Sequence, residues 1–150
     1  MTVESIGPVD EAVGPLVASS SANLKLVGPL PSPVALARLA GATAGLALLR
    51  DRPNYRGSVP TKVLEYMAHG VPVVATPLPA LVDLVEATGA GILVPFDDPE
   101  AVVEAVTRLD SDPELRSRCI AAGRRVVADH DWAVHGPRFV EACRVVADAG

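Results

Sequence analysis

Between Arg50 and Lys62 the chain sets four cations, Arg50, Arg52, Arg56 and Lys62, against a single acid, Asp51. The excess is local, because the whole chain carries a net charge of −5. Pro60 pre-sets a turn, and Thr61–His69 follows with helical spacing. The free N–H groups of Thr61, Lys62 and Val63, the positive end of the helix dipole and the Lys62 ammonium together suit a compact anion such as a diphosphate. Glu65 shares a face with Lys62 and His69 at i, i+3 and i+7, and a carboxylate there can accept hydrogen bonds from a vicinal diol such as a ribose. The same residues also read as a solvated loop with scattered ion pairs and an ordinary amphipathic helix. Its Lys/Glu pair would then be worth only about 0.3 kcal/mol. Residue types alone leave both readings open.

Other chemistry-bearing residues have structural explanations. His69 precedes Gly70 in a last helical turn, where an imidazolium suits the dipole and glycine supplies the cap. His130 and His135 have no acid or thiol at ligand spacing, so no metal and no catalytic role is assigned to them. Asp98-Pro99-Glu100 and Asp112-Pro113-Glu114 repeat one signal, an Asp cap, Pro at the first helical position and an acid in the first turn. Cys119 and Cys143 lack CxxC spacing and are expected as buried, reduced thiols of a cytoplasmic protein. The acidic balance argues against nucleic acid as a partner. No apolar run reaches the roughly 20 residues of a membrane span, and no secretory signal is visible at the N-terminus.

The elements that must position these residues follow from hydrophobic periodicity. With 150 residues, 49% of them hydrophobic and only 3% aromatic, a single domain with a tight Ala/Val/Leu core is expected. Five runs, Thr2–Ile6, Leu24–Val27, Gly45–Leu49, Pro72–Thr76 and Gly91–Val94, read as strands. Between them Val9–Ser20 (weakly), Val34–Ala42, Thr61–His69 and Pro79–Ala87 read as helices. In Thr61–His69 the face of Val63, Leu64, Met67 and Ala68 should pack on the sheet. The alternation predicts an α/β, Rossmann-like parallel sheet of about five strands flanked by helices. After Val94 a helical C-terminal tail follows, its third helix opening at Asp131.

The stretch PTKVLEYMAHGVPVVAT, an acid in the next helix and GAGILVPFDDPEA resemble the donor-binding half of GT-B glycosyltransferases. The similarity is to the large retaining family (family 4-like, glycosyl transferases group 1) that includes sucrose, mannosyl and bacterial polysaccharide transferases. The resemblance implies that Glu65 holds the ribose of a nucleotide. It implies that Arg56, Gly57, Ser58, Thr61, Lys62, Val63 and Asp83 lie against diphosphate and sugar, and that Gly28 and Leu30 belong to the loop beside the base. The family's first acid falls on Gly57, and its Gly-Gly turn on Pro79-Ala80. Asp83 stands where Glu is usual.

By the same resemblance the chain corresponds to an incomplete GT-B C-terminal domain, without its first βα unit and without the acceptor domain. The implied function is binding of a nucleotide sugar for transfer to a hydroxyl acceptor, without metal or other cofactor. Transfer is expected only with a separate acceptor-lobe polypeptide, and a homodimer through the last helix is a further possible partner arrangement. No residue reads as a general base. Two alternatives stand beside this: a non-catalytic α/β interaction module derived from such an enzyme, and the lobe of a related sugar-nucleotide epimerase.

Overall fold

In the computed structural model, which describes residues 1–10, 13, 17 and 23–148, each β-branched or Leu-rich run forms a strand. These are β1 (Val3–Ile6), β2 (Leu24–Gly28), β3 (Gly45–Ala47), β4 (Val73–Ala75) and β5 (Gly91–Leu93). Every pairing is parallel, β1 with β2 in one sheet and β3-β4-β5 in a second. The chain divides into two units, Met1–Ala40 with the first sheet and Gly41–Gly150 with the second.

In the first unit, Glu4 lies 3.0 Å from Arg38 Nη1 and 4.0 Å from Lys25 Nζ. Such solvated pairs add little stability. Helix α1 (Ser32–Ala37) begins and ends earlier than its apolar spacing predicts. Pro33 starts it, and after Ala37 the amides of Arg38 and Leu39 close i to i+3 turns instead of continuing it. The helix expected over Val9–Ser20 lies almost wholly outside the described residues.

The second unit contains α2 (Pro53–Arg56), α3 (Thr61–Ala68), α4 (Pro79–Leu81, continued by a π-helical turn Val82–Glu86), α5 (Pro99–Ser111), α6 (Pro113–Asp129) and α7 (Trp132–Asp148). Its sheet is a middle layer. Ala47, Val73 and Ala75 pack with Val63 and Met67 of α3 and with Leu81, Leu84 and Val85. On the other face Val74 and Val94 pack with Ala105, Val106 and Leu109 of α5 and Cys119 of α6. Burial on both faces explains why these strands read as unbroken apolar runs rather than alternating ones.

Four local details differ from the sequence expectation. Ala68 is exposed, and Tyr66 takes its place, half-buried over Gly45 with its hydroxyl donating to Leu46 O at 3.4 Å. Relative to Val63, position 66 lies about 60° round the helix and position 68 about 140°, so only the former reaches the sheet. The basic loop contains the short helix α2, opened by Pro53. The helix at Pro79–Ala87 widens to i to i+5 bonding, Ala87 N donating to Val82 O at 3.0 Å, and Thr88 Oγ1 donates to Leu84 O at 2.8 Å at its end. Cys143 is exposed while Cys119 is buried, because α7 buries only Gly136 among its described residues.

The predicted caps form as read. Asp98 Oδ1 accepts from Ala101 N at 2.9 Å, and Asp112 Oδ1 from Leu115 N at 2.8 Å. Both acids are thereby committed to helix starts. His69 closes α3, its Nδ1 2.8 Å from Glu65 O, and Gly70 follows with φ +69°.

Candidate functional site

Parallel strands deliver their loops to one edge, and the polar chemistry of the second unit collects there. The segments leaving β3, β4 and β5 line a cleft of about 370 Å³ that includes Leu48, Leu49, Arg50, Thr76, Phe96 and Asp97. Thr76 is the buried polar residue of this edge. Its Oγ1 donates to Leu49 O at 2.6 Å and accepts from Leu49 N at 3.1 Å, tying the ends of β3 and β4 together. Asp97 stands with φ +55°, a left-handed conformation in which Asp is among the commoner residues after glycine.

The connection from β3 to α3 carries the basic stretch. Arg56 is turned back on Asp51, Nε to Oδ1 at 2.6 Å and Nη2 to Oδ2 at 2.7 Å. Helix α2 creates that fork by bringing residues five apart within reach. The guanidinium holds the Asp51 carboxyl below its usual range, and the carboxylate raises Arg56. With this pair mutually neutralised, Arg50, Arg52 and Lys62 carry the local positive charge. Gly57 caps α2 with φ −99° and open space where a Cβ would stand. Ser58 Oγ donates to Tyr55 O at 3.3 Å, which leaves its oxygen as an acceptor.

At the start of α3, Pro60 provides no side-chain cap. Val63 N donates to Pro60 O at 2.9 Å and its side chain is fully buried, so Val63 belongs to the core and has no free amide to offer. Thr61 and Lys62 stand ahead of it. Lys62 is half-buried, and loss of solvent pulls its ammonium pKa below the ordinary value. Glu65 is exposed and makes no ion pair among the described residues. Burial, with the Glu65 charge adding to it, raises the neighbouring Tyr66 hydroxyl.

Arg56, Gly57, Ser58, Thr61, Lys62 and Glu65 are thus gathered on one connection and the helix it feeds. Asp83 is exposed in the first turn of the π-helical segment. Gly28 and Leu30 lie in the first unit. None of these lines the cleft; Arg50 is the one residue of the basic stretch that does. Thr76, Phe96 and Asp97 were not singled out by sequence reasoning. The only available signal was the doubled acid in FDDPEA, of which the second member caps α5 and the first is left over. Among the described residues no group of three or more His, Cys, Asp or Glu could hold a metal ion, and no helix is long and apolar enough to cross a membrane.

The chain is of the Rossmann-like α/β class, with parallel sheets flanked by helices and the half-buried Lys62 ammonium in the first turn of a helix that has no side-chain cap. Residues 21–112 match the family Glycosyl transferases group 1, and the chain belongs to that family. It is 35% identical over 99 residues to a phosphatidyl-myo-inositol mannosyltransferase of Mycobacterium leprae, a stretch covering 65% of this chain and 26% of that protein. To a sucrose-phosphate synthase of Zea mays it is 33% identical over 86 residues, 55% of this chain and 8% of the relative. Among solved structures, a sucrose-phosphate synthase from Thermosynechococcus elongatus superposes with a TM-score of 0.83 at 21% identity. That match covers 98% of this chain and 39% of the other. The fold is that of a GT-B C-terminal lobe, and the chain spans about a quarter or less of the curated relatives named here.

Proposed function

We propose that this chain is the nucleotide-sugar-binding portion of a glycosyltransferase, moving a sugar from a nucleoside diphosphate to a hydroxyl acceptor. The observation that carries the reading is Lys62: a cation kept half-buried with no carboxylate partner among the described residues, in the first turn of a helix with no side-chain cap. Such a cation is costly unless an anion completes it. The Thr61 and Lys62 amides and the Lys62 ammonium receive the diphosphate, with Arg56 able to exchange Asp51 for phosphate. Glu65 accepts from the ribose hydroxyls one turn further on. Ser58 and Asp83 are assigned to the sugar side, next to Gly57. Helix dipole and cations stabilise the departing diphosphate, so no metal is required. Both cysteines are free thiols, in keeping with a cytoplasmic setting.

The test is calorimetric titration of the 150-residue chain with nucleoside diphosphates. Binding is expected, weakened about tenfold by Glu65→Ala with an unchanged melting temperature, the loss of a hydrogen bond to a charged group. An affinity indifferent to Glu65→Ala removes that residue from the site. In the absence of an acceptor lobe no sugar transfer is expected, and turnover by the purified chain alone contradicts this part of the proposal.

A second reading, a non-catalytic interaction module, draws on α7. Trp132, Phe139 and Val146 fall on one face of that helix and are 67%, 59% and 74% exposed. No nucleotide binding together with concentration-dependent self-association would favour it.

A further inference from the structure

Of the 13 basic side chains only Lys25 and Lys62 are lysine, and every other one is arginine. The two lysines are placed in opposite ways. Lys25 stands in the first unit, its side chain 62% exposed and its Nζ 4.0 Å from Glu4. Lys62 is half-buried in the second unit and has no ion-pair partner among the described residues. At such a position the choice of lysine matters chemically. An arginine would hold an anion in a planar fork and stay charged at every working pH. A lysine can give up its proton, and the free amine is a nucleophile. Loss of solvent moves Lys62 in that direction, because burial lowers its pKa. Its place in the first turn of α3, which has no side-chain cap, also sets it beside backbone amides that suit a phosphoryl group.

We propose that Lys62 is a covalent modification site, acylated at Nζ by acyl phosphates. The phosphoryl group occupies the place of a diphosphate at the start of α3, a step that rests on the nucleotide reading. The acyl carbon is thereby held beside the amine. The nitrogen lone pair forms the N–C bond, and the C–O bond to phosphate breaks with its electron pair. The departing phosphate takes up the proton that the nitrogen releases. The product is a neutral amide, which has no ammonium to offer a diphosphate, so the modification closes the nucleotide site. Bound nucleotide in turn shields the amine. Lys25 lacks these conditions, since it lies in solvent beside a carboxylate that repels the same reagent.

The experiment incubates the 150-residue chain with acetyl phosphate near neutral pH and follows both lysines by peptide mass spectrometry. Lys62 is expected to acetylate severalfold faster than Lys25. Nucleoside diphosphate at about ten times its Kd should slow Lys62 about tenfold and leave Lys25 unchanged. The preference for Lys62 should be greatest near neutral pH and vanish in strongly alkaline solution, where lysine amines in general are unprotonated. Exposure alone would favour Lys25 at every pH. The chain acetylated at Lys62 should bind nucleoside diphosphate at least about tenfold more weakly. Lys62→Arg is the control, because the same treatment should leave its affinity where it stood before. Acetylation of Lys62 no faster than Lys25, full nucleotide affinity after acetylation of Lys62, or equal selection of Lys62 by a neutral acetyl thioester each overturns the proposal. Fast acetylation of Lys62, slowed by inorganic phosphate in a chain that binds no nucleoside diphosphate, overturns the nucleotide reading and supports the modification site.

Discussion

Replacing Lys62 by Met is expected to weaken nucleoside diphosphate binding by about tenfold to a hundredfold, the worth of a charge-assisted hydrogen bond in a partly desolvated site. The same substitution should make the free protein more stable. Burial lowers the Lys62 pKa in the folded chain below that of the unfolded chain. Below the folded pKa the side chain is charged in both states, and folding bears the whole desolvation penalty. Between the folded and unfolded pKa the unfolded state binds more protons, so stability rises with pH through that window. Above the unfolded pKa both states are neutral and the penalty is gone. Wild type should therefore gain stability as pH rises through this alkaline window, and Lys62→Met should be more stable at neutral pH with that slope removed. Affinity for the diphosphate should move the other way, falling as Lys62 deprotonates. Denaturant titrations and calorimetry between neutral and alkaline pH check both slopes. A Lys62→Met chain that is more stable and binds diphosphate as tightly as wild type removes Lys62 from the receptor.

Gly91→Ala is expected to cost about 3 kcal/mol, the upper range for overpacking and a large part of the stability of a small domain. A Cβ at Gly91 runs into the carbonyl of Val73, its register partner on β4. The obstacle is backbone within a parallel ladder, so relief requires β4 and β5 to separate. Two other glycines provide the comparison. At Gly45 a Cβ meets the ring of Tyr66, a half-buried side chain that can tilt, so Gly45→Ala should cost less. At Gly57 it meets nothing and φ is −99°, so Gly57→Ala should stay within about 0.5 kcal/mol of wild type. Urea midpoints of the three variants rank these effects. Equal midpoints for Gly91→Ala and Gly57→Ala would refute the close approach of β4 and β5.

The exposed face of α7 and the half-buried Lys62 illustrate two kinds of unfinished surface. An exposed apolar stripe lowers its free energy against any apolar partner, and its identity is not specified by the stripe. A desolvated cation beside free amides is specific, because only a negative group completes it. That difference in directionality is why nucleotide binding, rather than association through α7, stands first among the functional readings.

Order, type and approximate bounds of the strands were legible from the sequence by itself, because burial on both faces leaves continuous apolar runs at Gly45–Ala47, Val73–Ala75 and Gly91–Leu93. The caps at Asp98 and Asp112 were legible for a similar reason: a cap satisfies amides two or three residues away and needs no distant partner. The motif around Lys62 and Glu65 pointed to the family in the same local way. Tertiary structure alone decided which of these polar groups remain uncommitted. Arg56 is spoken for by Asp51 once α2 folds, Val63 turns into the core, and Tyr66 rather than Ala68 faces the sheet. It also decided that Leu49, Thr76 and Asp97, drawn from three separate connections, border one cleft. Periodicity records which side of an element is apolar. Whether a charge is already paired, and which loops meet at a sheet edge, depends on contacts between residues far apart in the chain, and no local pattern encodes them.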